Sequence, residues 1–302
     1  MADAFSSPGM EMPSPTVSAH LRELAGYLAA PAAGRLTEEQ RALSLGIARR
    51  FVADVAARLD TRIDAAALWR DWLRDGVPGG EPLAAACYAR AEEHRWRAQS
   101  ARHIFPPALS IAEDGVGQAG KDERDSLSPE ADRTYLALRI ADRRRFDGVG
   151  HPALAAADVE PALFRAMLHD VAAWRRGRFG GDAALAAELD EAVRAATVRR
   201  DSEAGIDQAA AAYHQALGAM ASGAAAQAIA AQDWAALIAL AAAAAHRRYD
   251  AMALALVTAD SAALPSLLAP LRLGPAELAP LEVSLAMLPA RAVPDDDRER
   301  VA

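Results

Sequence analysis

Cysteine and lysine are nearly absent from this sequence of 302 residues, which contains one of each, Cys87 and Lys121. A single cysteine excludes an internal disulfide and any zinc site built on several cysteine ligands. A lysine that forms a Schiff base, or that binds nucleotide phosphates in a Walker motif, would have to be Lys121. Several common catalytic chemistries are therefore excluded or reduced to one residue.

Strand-forming residues and long apolar runs are also scarce. Aromatic residues make up 5% of the chain, no useful stretch alternates apolar and polar positions, and alanine, the best helix former, is abundant. The apolar run from Trp234 to Ala245 has 12 residues, whereas a bilayer requires about 20. Composition therefore predicts an all-α protein without a membrane span.

The charge balance argues against nucleic acid and anionic membranes as partners. The formal net charge is −8, so the molecule as a whole repels nucleic acid and anionic membranes, and nucleic acid is not an expected partner. The N-terminus has neither the basic start nor the apolar stretch of a signal peptide. We therefore expect a cytoplasmic protein.

Helix-capping signals are frequent along the chain. Thr37 and Gln40 have the spacing of a capping box, and Ser128 precedes a proline at the first position of a helix. Asp158 is predicted to cap a further helix, which is expected to stop at Gly177. These signals favour a series of amphipathic helices.

Breaks in the helical pattern divide the chain. The stretch 104–128 contains two prolines, three glycines and a run of charges, which is typical of a linker or long loop. We expect antiparallel helix pairs that form a bundle-like N-terminal lobe and a solenoid-like C-terminal lobe. The predicted organisation is a disordered N-terminus (1–15), an N-terminal helical lobe (16–103), the linker or long loop (104–128), a C-terminal helical lobe (129–290) and a disordered tail (291–302).

Three segments are similar to a known group of proteins: LTEEQRALSLGIARRFVADVAARLD, ALWRDWLRDG and DSAALPSLLAPLRLGPAEL. They resemble an uncharacterised bacterial family of Ala/Leu-rich helical proteins, a domain of unknown function loosely related to HEAT-type repeats. The similarity covers residues 36–290. It implies an α-helical, repeat-like fold and supplies no catalytic residue.

Motifs for cofactors, metals and nucleophiles are weak or missing. The stretch GVGQAG at 115–120 matches a dinucleotide fingerprint in its letters, but no apolar strand precedes it and no apolar-periodic helix follows. No histidine has the spacing of a di-iron or zinc-protease motif, and no G-x-S-x-G stretch occurs. Cys87 is interpreted as a small buried residue. We therefore predict no cofactor and no metal.

Arginines cluster with aromatic or histidine residues at 94–103, 143–148, 174–179 and 246–249. Such clusters suit bases, phosphates or an anionic protein surface, although arginines in a last helical turn also stabilise the helix dipole. Trp69 and Trp72 are predicted core anchors that would be a binding hot spot if exposed. The candidate interaction surface comprises Trp69, Trp72, His94, Arg95, Arg97, Arg247 and Arg248.

The sequence thus favours a non-enzymatic adaptor or regulatory protein that binds another protein through its helices. The alternative is a regulatory component of a bacterial phosphorelay, in which His94 is the phosphoacceptor because an imidazole nitrogen is a competent nucleophile. A third possibility is an enzyme whose site is assembled from scattered residues such as Glu92, His169 and Arg175. That possibility requires a deep polar pocket that gathers these groups.

Overall fold

A computed structural model describes residues 21–26, 36–102, 128–179 and 183–288. Regular structure in these ranges is helical, apart from one isolated bridge between Phe146 and Pro152. The all-α prediction is confirmed. The predictions for 1–15, 104–127 and 291–302, and for the GVGQAG motif, lie outside the described residues. No helix in the described ranges is long and apolar enough to cross a membrane.

Twelve helices of the described ranges position the features discussed below. Residues 21–26 are helical as well. In chain order the labelled helices are α1 (Glu38–Leu59), α2 (Ala65–Asp75), α3 (Gly80–Arg102), α4 (Pro129–Arg143), α5 (Pro161–Phe179), α6 (Ala183–Ser202), α7 (Ile206–Leu217), α8 (Ala221–Ala230), α9 (Trp234–Ala244), α10 (Tyr249–Thr258), α11 (Leu264–Leu267) and α12 (Pro275–Ala286).

Two of the predicted helix starts are observed. The capping box of α1 is complete, with the Thr37 side chain accepting from the Gln40 backbone and the Gln40 side chain accepting from the Thr37 backbone. Ser128 accepts a hydrogen bond from the Ala131 backbone at 3.1 Å and begins α4. Each bond satisfies an N–H that the first helical turn leaves without a partner.

The predicted cap at Asp158 is wrong, because this residue serves a different helix. Its Oδ1 accepts from the Ile206 backbone N–H at 2.7 Å, at the start of α7. Gly205 has no side chain to cap α7, and a Cβ there would come within 2.9 Å of Asp158 Oδ1. A distant carboxylate thus replaces the local cap. The predicted stop at Gly177 is also wrong, since α5 continues to Phe179.

The first hydrophobic cluster joins the N-terminal helices to two later ones. Helices α1, α2 and the first half of α3 pack with α5 and α6. The rings of Phe51 and Phe164 lie 6.5 Å apart in this cluster, both fully buried. Residues 161–202, assigned from the sequence to the C-terminal lobe, therefore share a core with residues 38–91.

The second hydrophobic cluster contains α4 and the helices from α7 to α12. Helix α7 packs on α4 and α9, while α8 packs on α9 and α12. Trp96, from the second half of α3, also belongs to this cluster and stacks on Trp234 with ring centroids 4.9 Å apart. Helix α3 thus contributes to both clusters.

Candidate functional site

Helix α4 packs into the second cluster along one side, and the rest of its surface faces away from that cluster. Ala131, Leu138 and Ala141 are buried against neighbouring helices, chiefly α7. A helix that packs through one stripe leaves the remaining 200° or so for solvent or for binding. On α4 these other sides are not uniformly polar.

An exposed apolar stripe follows the outer side of α4. Leu136 is 60% exposed and Ile140 is 55% exposed, and the two are one helical turn apart with exposed Ala137 beside them. Exposed arginines at 133 and 144 lie at the two ends of the stripe. We call this surface the α4 outer face; it comprises Arg133, Leu136, Ala137, Ile140 and Arg144.

The sequence contains a signal for the α4 outer face that the periodicity argument did not use. In the stretch RTYLALRIADR, apolar residues occur on two sides of one helix rather than on one. Leu138 and Ala141 belong to the buried side, whereas Leu136 and Ile140 fall about 100° or more away on a wheel of 3.6 residues per turn. Leu136 and Ile140 therefore form a second apolar stripe on α4, separate from the buried one.

A buried cluster of charges connects α3 with the end of α4 and the start of α10. Glu93, fully buried on α3, accepts two hydrogen bonds from Arg145 at 2.7 and 3.0 Å and one from Arg97 at 3.0 Å. Arg90 lies 3.3 Å from the same carboxylate, and Tyr249 donates to it at 3.2 Å. We call Arg90, Glu93, Arg97, Asp142, Arg145 and Tyr249 the Glu93 cluster.

The remaining groups of the Glu93 cluster are also paired. Arg97 donates to both oxygens of Asp142, at 2.7 and 2.8 Å. Arg90 donates to the backbone carbonyl of Arg145 at 2.9 Å. Arg145 further lies 3.6 Å from the carboxylate of Asp158. When Asp158 is counted with the two carboxylates of the cluster, three arginines face three carboxylates, so the buried charge is balanced.

The protonation states in the Glu93 cluster are fixed by burial and by neighbouring charges. Although burial alone opposes its ionisation, the adjacent Arg145 and Arg90 hold the pKa of Glu93 far below its usual range. Burial lowers the pKa of Arg90 to about 10 and raises the pKa of Tyr249 well above its ordinary value. Near neutral pH the arginines and Glu93 are charged and Tyr249 is neutral, which suits a structural role rather than proton transfer.

The Glu93 cluster is not evident from the sequence, because its partners are far apart in the chain. Arg145, from the arginine cluster at 143–148, is 3% exposed and bonded to Glu93, 52 residues away. Tyr249, from the cluster at 246–249, is fully buried. Only the density of charges in the stretch EEHRWR could have indicated a polar cluster on this helix.

Three of the seven predicted surface residues are buried. Trp69 and Trp72 are 7% and 6% exposed and belong to the first hydrophobic cluster, so the condition for a binding hot spot is not met. Arg95 is 8% exposed, because it bonds to Glu92 at 2.9 Å and to Glu39 at 3.0 Å. The predicted interaction surface is therefore wrong at these three positions.

The other predicted residues do not form one surface either. Arg97 is half-buried and engaged in the Glu93 cluster. Arg247 is half-buried, and exposed Arg248 donates to Asp250 and to the Asp158 carbonyl, both at 2.9 Å. These arginines join helices and loops of the chain itself. Of the four arginine clusters, the one at 143–148 contributes Arg144 to the α4 outer face.

His94 is half-buried on α3, at the edge of the Glu93 cluster. Its ring lies edge-on to Phe146 with centroids 6.2 Å apart. Burial, reinforced by the charges of Arg90 and Arg97, lowers the pKa of His94 to about 4. The imidazole is therefore neutral at physiological pH, which is the nucleophilic form.

The groups suggested for a scattered catalytic site are not assembled. Glu92 is buried and accepts from Gln40 at 3.1 Å and from Arg95. Arg175 lies 3.7 Å from Asp60, and His169 is exposed on α5. Cys87 is fully buried, and that burial raises the pKa of its thiol. In the described ranges, no three His, Cys, Asp or Glu side chains are grouped so that they could hold a metal ion.

Comparison of the chain with protein families, with curated proteins and with solved structures finds no match. The resemblance to Ala/Leu-rich helical proteins therefore stays a prediction.

Proposed function

We propose that the protein is a non-enzymatic adaptor or regulator, and that it binds an acidic amphipathic helix of another protein on the α4 outer face. The observation that carries the proposal is the pair Leu136 and Ile140, exposed one turn apart on a helix whose opposite side is packed. Such i, i+4 anchors are what helix-in-groove and helix-on-helix recognition uses.

The charges around the stripe support an acidic partner. Arg133 and Arg144 lie at its two ends and are exposed, and Arg143 is exposed next to Arg144. In a chain of net charge −8, the C-terminal end of α4 is locally basic, whereas its first turn also carries Glu130 and Asp132. Carboxylates that flank the apolar stripe of a partner helix would meet these guanidinium groups, which favours fast and specific association.

The remaining charges agree with this class of function. The overall negative charge supports a protein rather than nucleic acid as the partner. The Glu93 cluster supports the non-enzymatic assignment, since its acids and bases are paired with one another.

The proposal can be tested by site-specific photo-crosslinking in the native cell. A photoreactive amino acid at position 136 should crosslink to a partner protein. The crosslinked segment should have the sequence pattern of an amphipathic helix, with Asp or Glu beside its apolar residues. The matched control is position 198 on α6, where Val198 is 69% exposed and no label is expected. Labelling only of a second copy of this chain, equal labelling from both positions, or none would overturn the proposal.

A binding measurement with the purified labelled partner then tests the residues. Leu136→Asp combined with Ile140→Asp should weaken binding by about tenfold or more, since exposed apolar anchors contribute most of such contacts. Val198→Asp should leave the affinity unchanged. Retained binding by the double variant would place the partner elsewhere on the molecule.

The phosphorelay alternative has one favourable observation, the neutral state of His94 at physiological pH. Its ring is half-buried against Phe146, so a receiver domain would reach only part of the imidazole. The test is phosphorylation of the purified chain by acetyl phosphate or by a cognate kinase, followed by acid treatment. An acid-labile phosphoryl group that is lost in His94→Gln would establish this function, and the absence of any such label would remove it.

A further inference from the structure

A pocket of about 290 Å³ lies beside α4, on a different side from the α4 outer face. It is formed by α4, α7, α8 and the start of α9. Its polar lining consists of two tyrosines, two aspartates and one glutamine, and alanines form the rest of its wall. The polar residues are Asp132, Tyr135, Tyr213, Gln227 and Asp233.

Tyr213 is the residue that points to a ligand. It is 6% exposed and lines the pocket, and within the described ranges its hydroxyl has no hydrogen-bond partner, although the oxygen itself is open to the pocket. Burial raises the pKa of Tyr213, and the carboxylates of Asp233 and Asp132 raise it further. The hydroxyl is therefore neutral, and it can donate or accept a hydrogen bond in the pocket.

Asp233 is held rigidly at one side of the pocket. It accepts from the Tyr135 hydroxyl at 2.6 Å, from Arg139 at 2.9 Å and from the Ala236 backbone at 3.2 Å. Burial, together with the hydrogen bond to Asp233, raises the pKa of Tyr135 to about 12, so this hydroxyl also stays neutral. Arg139 approaches Asp233 from outside the lining and offsets one of the two negative charges.

Asp132 supplies the second carboxylate, at the exposed mouth of the pocket. Among the described residues that line the pocket there is no cationic side chain, so this lining is acidic. The tyrosine rings add their electron-rich surfaces, with centroids 5.5 Å apart and planes tilted by 48°. Carboxylates and aromatic faces together attract ammonium groups and repel anions.

We propose that this pocket binds a short alkylammonium group. The nitrogen would lie between the Asp132 carboxylate and the Tyr213 hydroxyl, both of which accept hydrogen bonds from N–H. The methylene groups would contact Ala228 and Ala236, which are buried in the wall. The volume limits the group to the size of a lysine side chain or a small free amine.

The first experiment titrates the full chain with n-butylammonium by saturation-transfer and chemical-shift NMR. Butanol and butyrate serve as the neutral and anionic probes of the same length. Binding of butylammonium with no binding of butyrate, and with butanol at least about tenfold weaker, is expected because the lining is acidic. Equal binding of butanol would identify a general apolar pocket, and no binding of butylammonium at tens of millimolar would remove the site; either result overturns the proposal.

Variants then test the named residues. Asp132→Asn should weaken butylammonium binding by about tenfold and Tyr213→Phe by about threefold, through the loss of a charge and of an acceptor. Glu130→Gln is the matched control, because it removes the same charge from the same exposed first turn of α4 without lining the pocket. Urea midpoints confirm that each variant is folded. Unchanged affinity in both folded pocket variants would overturn the assignment.

A last comparison distinguishes the source of the ammonium group. Nα-acetyl-lysine amide presents the amine as a protein side chain would, whereas butylammonium and 1,4-diaminobutane present it as a free metabolite. Tighter binding of the lysine amide indicates a lysine of a partner protein, and tighter binding of the free amines indicates a small molecule. These titrations need no protein partner, so they can fail or succeed independently of the α4 outer face.

Discussion

The Glu93 cluster and helix α9 are both buried, but they are stabilised in opposite ways. Helix α9 has nine consecutive buried residues, Trp234 to Ala242, with alanine and leucine as its main contacts. The Glu93 cluster fills a comparable interior position with ionised groups that need one another. An apolar contact contributes to the free energy of unfolding in proportion to the area and volume that it fills. A buried charge stabilises the fold only while all of its partners are present.

The largest effect is expected when the Glu93 cluster loses its central charge. Glu93→Gln keeps the shape of the side chain but leaves Arg90, Arg97 and Arg145 with too few negative partners. The free energy of unfolding, measured by urea denaturation, should fall by about 4 kcal/mol. Glu130→Gln, an exposed control, should change it little. A loss below about 1 kcal/mol for Glu93→Gln would show that water replaces the missing charge.

Shortening a side chain in α9 should cost somewhat less. Leu240 is fully buried, and Leu240→Ala removes apolar contacts and leaves a cavity. We expect the free energy of unfolding to fall by about 3 kcal/mol, depending on how far the small alanines around it relax. Val198→Ala on the exposed side of α6 is the control and should have little effect. Equal losses in the two variants would contradict the assigned burial.

The free energy of unfolding should depend on pH through His94, which lies at the edge of the Glu93 cluster. An unfolded histidine has a pKa of about 6.5, whereas in the folded protein the pKa of His94 is lowered to about 4. Between these values the unfolded state binds more protons, so the free energy of unfolding should decrease as the pH falls from about 6.5 towards 4.

The measurement is a series of urea denaturations from pH 7 to pH 5, above the range in which Glu93 takes up a proton. His94→Gln should flatten the dependence over this range, while His169→Gln, which changes an exposed residue of α5, should not. An unchanged slope in His94→Gln would show that other groups cause the loss of stability.

The smallest effect on stability is expected at the α4 outer face. Leu136→Asp combined with Ile140→Asp changes two exposed side chains, so the free energy of unfolding should change by about 0.5 kcal/mol per site or less. Thermal and urea denaturation of the purified chain measure this change. A large loss would mean that the stripe packs against another part of the chain, and it would remove the basis for the proposed binding surface.

Local signals in the sequence predicted local structure well. The capping box of Thr37 and Gln40 and the cap at Ser128 depend on residues within a few positions of one another. Asp158 shows the limit of such signals: its side chain satisfies an N–H of Ile206, 48 residues later. Nothing in the neighbourhood of either residue indicates that contact.

The candidate sites were less predictable than the helices. Periodicity assigns a residue to a side of a helix but does not say what covers that side, so the prediction of Arg95 at the surface is wrong. The pocket beside α4 combines residues of four helices, and Tyr213 is distinguished only by a hydroxyl without a hydrogen-bond partner among the described residues. Properties of this kind depend on three-dimensional packing and have no counterpart in spacing along the chain.

Because helix α3 contributes to both hydrophobic cores, it limits where the chain can be divided. Its first half contributes Leu83, Ala84 and Cys87 to one core, and its second half contributes Trp96 to the other. A gene fusion or recombination event that separated residues 1–102 from the rest would deprive both cores of packed side chains. We therefore expect the described residues before 103 and those after 127 to fold together rather than as separate units.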